Sequence, residues 1–270
     1  MKTIILMLKG VLIGISILIP GVSGGTMAII LGVYDEMIHA VSSFFQSKRQ
    51  NALLLLKIGT GGLIGIVLFS KLISYMLDKW KYPMVFLFIG VICGGLPVLL
   101  KKTKTAKSRN LDLLYSIAGF LLVIAMTRQP DTVVNLATQT GVLNFLFLVF
   151  AGFIIAIALI LPGISTSFML LTLGLYDVTL EAITNFNIAF LIPVIIGIVI
   201  GTISTTRLLE FLMQRYPRKT YLLILGFVLG SVLQIIPGLP KGMDILYCIL
   251  TFASGLIAIQ FMSKYTSENV

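Results

Sequence analysis

Apolar residues in this chain gather into long blocks separated by short polar breaks. Six blocks approach the ~20 apolar residues that a helix needs to cross a bilayer: 52–77, 83–100, 111–127, 188–212, 220–236 and 244–262. Two further regions are apolar but interrupted. Residues 4–19 are too short to span, the chain breaks between Pro20 and Gly25, and a second short stretch runs to Phe45. Residues 142–184 have the same form, with a break after Leu161. Irregular backbone at membrane depth is tolerated only where it is buried in protein or lines a cavity. The pattern therefore predicts two helical hairpins, 4–45 and 142–184, that enter the bilayer, turn, and leave on the side they entered.

The two breaks are copies of one another. Pro20-Gly21-Val22-Ser23-Gly24-Gly25-Thr26 recurs as Pro162-Gly163-Ile164-Ser165-Thr166-Ser167-Phe168, 142 residues on. Both run into Gly-x-Tyr-Asp at the same offset, Gly32 to Asp35 and Gly174 to Asp177. Further along, Gly65, Lys71, Trp80, Gly90 and Gly94 match Gly201, Arg207, Tyr216, Gly226 and Gly230, each 136 apart. Asp112 to Tyr115 match Asp244 to Tyr247 at an offset of 132. An offset that falls stepwise is what loops of unequal length produce between repeats. The expected fold is an all-α polytopic membrane protein made of two repeats, 1–130 and 131–270, forming one integral membrane domain. Each repeat holds a re-entrant hairpin and three transmembrane helices. Three is odd, so the repeats are expected to be inverted relative to each other, with their hairpins entering from opposite faces and meeting near the midplane. Paired breaks of this kind in two halves point to a transporter's central site.

Composition sharpens the class. The chain is 58% hydrophobic and 11% charged, with mean hydropathy +1.07, against about 25% charged residues in soluble domains. A net charge of +10 could suggest nucleic acid, but the cations lie in short loops between apolar spans, where they act as topology signals. Lys101, Lys102, Lys104, Lys107 and Arg109 form a loop without an anion, so 101–110 is expected to be cytoplasmic. Counting outward puts Lys48-Arg49, the Arg215/Arg218/Lys219 turn and both termini on that side, and 128–141, 185–187 and 237–243 on the other. Residues 1–25 imitate a signal peptide, but their Pro-Gly-x-Ser pattern recurs at Pro162, so they are read as part of the membrane domain. Cys93 and Cys248 lie in apolar spans without redox or metal spacing, and His39 is the sole histidine. No metal site or cofactor is expected, nor is a nucleic-acid partner.

The hairpin tips carry the chemistry. Gly24 and Gly25 permit close backbone approach, and Ser23, Thr26, Ser165, Thr166 and Ser167 bring hydroxyls. Helices that start at such tips offer N–H donors suited to phosphate. The competing reading is structural, with glycines packing helices and hydroxyls satisfying broken backbone. Lys71 and Arg207 occupy equivalent places in apolar helices. A cation at depth is a functional hypothesis, unless its stem snorkels to the interface. Asp35, Glu36 and Asp177 are read either as N-caps or as carboxylates that take coupling protons or sodium. Glu210 is expected to pair with Arg207 on one helix face, and Asp112 and Asp244 to cap helices at the surface.

The paired Pro-Gly-x-Ser hairpins, the trailing Gly-x-Tyr-Asp and the three spans per half resemble the bacterial polyprenyl-phosphate transporter family over essentially the whole chain. That resemblance implies a flippase of the bacterial cytoplasmic membrane. It would return undecaprenyl phosphate, the carrier lipid of peptidoglycan and teichoic acid precursors, to the inner leaflet. It also implies two re-entrant helices and assigns the headgroup cradle to Ser23, Gly24, Gly25, Thr26, Ser165, Thr166 and Ser167. The tips differ, Gly24-Gly25 against Thr166-Ser167, and so are not expected to contribute equally. No Gly-x-x-x-x-Gly-Lys motif is present, which leaves an ion gradient or downhill recycling as the energy source. Two alternatives remain. An intramembrane polyprenyl-diphosphate phosphatase would use a Pro-Gly-x-Ser-Arg-Ser motif, but Pro162 to Ser167 lacks the arginine, and the spans lack clustered glutamates. The protein is therefore not expected to be an enzyme. A carrier of a small soluble anion would fit the same cradle.

Overall fold

The computed structural model describes residues 2–19, 22–104, 112–126 and 141–268. Pro20 and Gly21 of the first break, most of the expected cytoplasmic loop and the 127–140 connection lie outside the described residues, as do the extreme termini. The described chain is all helix and turn, with no strand. In order the helices are α1 (Lys2–Ile17), α2 (Gly24–Ile30), α3 (Tyr34–Ser42), α4 (Lys48–Lys79), α5 (Lys81–Thr103) and α6 (Leu113–Met126). They are followed by α7 (Val142–Ile160), α8 (Thr166–Thr172), α9 (Tyr176–Thr184), α10 (Ile188–Arg215), α11 (Pro217–Ile235) and α12 (Asp244–Glu268).

Local geometry repeats with the sequence. α2 and α8 have seven residues each, and α3 and α9 nine. Both short helices end at a glycine in the left-handed region, Gly32 at φ +70° and Gly174 at φ +64°. The next amide closes the cap in both copies, Val33 onto the Ala28 carbonyl and Leu175 onto Leu170. That is the geometry glycine allows at a helix C-terminus without steric cost. The corners α4–α5 and α10–α11 also agree, with Trp80 at φ −132°, ψ 55° and Tyr216 at φ −133°, ψ 54°.

Among the described residues, six helices are long and apolar enough to cross a membrane: α4, α5, α7, α10, α11 and α12. This differs from the expected set in one place. The run at 142–160, read as one arm of a hairpin, is a continuous 19-residue helix, α7; the described part of the block at 111–127 is the 14-residue helix α6, with residues 111 and 127 outside the described ones. Nothing breaks the apolar run of α7 before Leu161 and Pro162.

Glycines set how the helices pair. A Cβ on Gly14 would lie 2.1 Å from the Gly62 carbonyl oxygen, and one on Gly65 2.3 Å from that of Val11, so α1 and α4 run parallel at close contact. Gly152 and Gly197 bring α7 and α10 together in the same way. The last helix of each half packs on the other half: α12 meets α5 at Gly90 and Gly255, and α6 meets α11 at Gly119 and Gly226. Where no hydrophobic force drives association, such close backbone approach is the main source of helix–helix affinity. α5 and α11 form the centre and run antiparallel, since Lys102 near the end of α5 touches Tyr221 near the start of α11. α2 packs on this centre, with Ile30 filling the notch at Gly95.

Candidate functional site

The two hairpin tips touch. A Cβ on Gly25 would lie 3.3 Å from the Pro162 Cα. The Tyr34 hydroxyl, at the start of α3, donates to the Ile160 carbonyl at the end of α7 across 2.8 Å. The carbonyls of a last helical turn have no partner within their own helix, and this one is met from the opposite hairpin. Gly163, at φ +83°, is wedged against α11, where a Cβ would meet the Phe227 carbonyl carbon at 2.5 Å. No other residue fits that place.

The first tip is closed. Ser23 is 7% exposed, and its hydroxyl caps α2 by accepting from the Gly25 amide at 3.2 Å. Gly24 is packed against Ile13 and Ile17. The Thr26 hydroxyl is buried without a hydrogen-bond partner and borders a void of about 10 Å³ against α5, room for about one water. The second tip is more open. Ser165 and Thr166 are half-buried and Ser167 is exposed. The same contrast holds one step on, where Tyr34 is 3% exposed and its counterpart Tyr176 is 37% exposed. Equivalent positions of the two motif copies therefore sit in different environments.

Asp35 lies in the first turn of α3 and does not cap it. The cap position is Val33, whose apolar side chain makes no capping hydrogen bond, and Leu175 stands in the same place before α9. The Asp35 carboxylate instead accepts from Lys102 and, at 2.8 Å, from the Tyr221 hydroxyl. Glu36 and Asp177 are exposed. Glu210 does not pair with Arg207 as expected; His39 and Ser42 of α3 and Gln214 bond to it instead. Asp112 is likewise an ion-pair partner, held by the Arg218 Nε at 2.8 Å, while Arg218 also donates to the Thr103 carbonyl. These bonds gather α3, the end of α5, the start of α6, the end of α10 and the start of α11 into one polar layer. Lys71 and Arg207 are both exposed. Each stands eight residues before the end of its helix, at Lys79 and Arg215, or about 12 Å along the axis.

Sequence reasoning did not single out a cavity of about 630 Å³ between α6, α7, α10 and α11. Its walls are largely apolar, with Ser204, Thr205, Thr220, Tyr115 and Tyr216 the hydroxyl-bearing residues, and its lining includes Leu161 beside the second tip. Neither Lys71 nor Arg207 lines it. Lys219 does, its ammonium 5.3 Å from the Tyr115 ring centre and 5.5 Å from that of Tyr216. The available signal was the repeat itself, which pairs Tyr115 with Tyr247 and Tyr216 with Trp80.

Comparison with known proteins identifies relatives over most of the chain. A model of the VCA0040-like family, described as undecaprenyl phosphate translocase-like, matches residues 13–244. A polyprenyl-phosphate transporter of Staphylococcus aureus is 33% identical, covering 97% of this chain and 96% of its own. A polyprenyl-phosphate transporter of Vibrio cholerae is 31% identical over 85% of this chain and 76% of its own. No solved structure matches. This multi-pass membrane protein belongs to the undecaprenyl phosphate translocase-like family.

Proposed function

We propose that the protein is a transporter that returns undecaprenyl phosphate across the bacterial cytoplasmic membrane for reuse as the carrier lipid of envelope polymers. The observation that carries this reading is the unequal state of two copies of one motif. Tyr34 is buried and bonded to the opposite tip, while Tyr176 is exposed. A carrier built from two like halves needs one gate closed while the other is open. The names of the two relatives, each matched over most of its length, support the substrate class.

In this reading residues 1–130 and 131–270 are inverted repeats. Support comes from the antiparallel α5 and α11, which hold equivalent places in the two halves. The headgroup passes the tips at Ser23, Gly24, Gly25, Thr26, Ser165, Thr166 and Ser167, with Lys71 and Arg207 as cations toward opposite faces. Asp35, Glu36 or Asp177 takes the coupling H⁺ or Na⁺. The polar layer around Asp35, Lys102 and Arg218 and both termini face the cytoplasm, consistent with the positive-inside rule. An unpaired charge in hydrocarbon is costly, so the phosphate travels in a polar path while the prenyl tail stays in lipid.

The test uses proteoliposomes carrying undecaprenyl phosphate and an external phosphate-binding probe. Protein-dependent movement between leaflets, lost in Ser23→Ala/Ser165→Ala, is expected. No movement with or without a proton or sodium gradient would refute lipid transport, and competition by a soluble phosphate alone would favour a soluble-anion carrier.

A further inference from the structure

We infer that the cavity between α6, α7, α10 and α11 is the inner-leaflet site from which the lipid is released, with the phosphate at Lys219 and the first isoprenyl units in the cavity. This rests on the transport reading above and assigns it a site away from the hairpin tips. The lining runs along α10 from Ser204 to Tyr216. Twelve residues of helix extend about 18 Å, slightly more than one leaflet of a ~30 Å hydrocarbon core. The charged end is where α10 turns into α11, the Ser204 end lies beside Phe153 and Ile157 of α7, and the lining includes Leu161, next to Pro162, and Phe227, on which Gly163 of the second tip rests. A lipid within one leaflet has this shape, with its headgroup at the surface and its tail reaching the midplane.

The chemistry at each end fits. At the mouth, Lys219 rests between two tyrosine rings, which hold the stem by cation–π attraction while leaving ammonium donors for an anion. No carboxylate pairs with it among the described residues, whereas neighbouring Arg218 is committed to Asp112. Inward from the mouth the lining is almost wholly apolar: Phe153, Ile157, Leu208, Leu212 and Phe227 present hydrocarbon surface. Leu208 and Tyr216 line the cavity and are both exposed, so a tail can pass sideways between the cavity and the bilayer. A volume of about 630 Å³ lies within the 300–1,000 Å³ typical of small-molecule sites. A soluble phosphate would leave this volume empty, and an uncharged lipid would leave Lys219 unused. The polyprenyl monophosphate satisfies both.

The experiment measures binding of farnesyl phosphate, undecaprenyl phosphate and inorganic phosphate to the purified full chain in nanodiscs, alongside the leaflet assay. Wild type is expected to prefer the prenyl phosphates strongly over inorganic phosphate. Lys219→Ala should weaken their binding by roughly tenfold or more, the scale of one charge-assisted hydrogen bond, and Lys219→Arg should restore most of it. Thr205→Trp, which fills the cavity, should abolish the gain from the prenyl chain while leaving monodisperse protein. Leu212→Trp replaces it if that variant does not fold. If wild type moves the lipid while Lys219→Ala and the filled variants bind like wild type, the cavity is not the site and the transport reading stands. If wild type neither binds nor moves prenyl phosphate, the transport reading fails and this assignment fails with it.

Discussion

Tyr34 and Ile160, 126 residues apart, are joined by a 2.8 Å hydrogen bond that ties the base of one hairpin to the tip of the other. The bond satisfies a helix-terminal carbonyl inside a membrane protein, where water is not at hand to replace it. Tyr34→Phe should therefore lower stability by about 1–3 kcal/mol, the cost of an unsatisfied buried acceptor. Tyr176→Phe should leave stability nearly unchanged, because Tyr176 is 37% exposed and makes no such bond. Thermal unfolding in one detergent compares them, and equal shifts would show that the tips are not held by this bond.

Gly163 is the tightest point of the second tip. Alanine there would have to adopt φ +83° with its methyl 2.5 Å from the Phe227 carbonyl carbon. Gly163→Ala should therefore give little folded protein. Gly242→Ala isolates the backbone cost, since Gly242 has φ +58° with nothing within 4 Å of its Cβ position. That variant should lose only about 1–2 kcal/mol. Fluorescence-detected size exclusion and melting curves separate the two outcomes, and a well-folded Gly163→Ala protein would contradict the contact.

Much of this arrangement was legible in the chain because its signals are local. Pro162 stops α7 where the break was read, and the glycines at 32 and 174 end α2 and α8 at equivalent positions. What escaped is tertiary. The i,i+3 rule pairs Glu210 with Arg207, yet the carboxylate turns to His39 and Ser42, more than 160 residues away. Asp35 looks like a cap by position, but Lys102 and Tyr221 take its oxygens. Lys219 reads as one more loop cation until the fold lays Tyr115 and Tyr216 beside it. The unequal exposure of Ser23 and Ser165, or of Tyr34 and Tyr176, is a property of conformation, so the residues the two motif copies share cannot encode it.

The contact between α3 and α10 behaves as a gate in the proposed cycle. Its polar bonds run from Glu210 to His39 and Ser42, and α9 and α4 hold the equivalent places in the other pairing of halves. Ser42→Cys/Glu210→Cys in a background lacking Cys93 and Cys248 should be bridged by a short bifunctional thiosulfonate. Bridging should stop lipid movement, and reductant should restore it. Transport that continues at full rate in the bridged protein would remove α3 from the gate.

Lys71 and Arg207 decide whether depth or interface explains a cation in an apolar helix. Each is about 12 Å from its helix end, within reach of an interface for a snorkelling stem, and both are exposed. As mere anchors they would matter for insertion and little for turnover. As charges facing the lipid's path from opposite sides, they lower the cost of moving a phosphate through hydrocarbon. Lys71→Ala/Arg207→Ala should lose recycling activity at normal membrane abundance, with each single variant impaired less than the pair. Abundance is read by quantitative blotting and turnover by the leaflet assay. Full activity in the double variant would take both residues out of the mechanism and leave Lys219 and the tip hydroxyls as the groups that handle the phosphate.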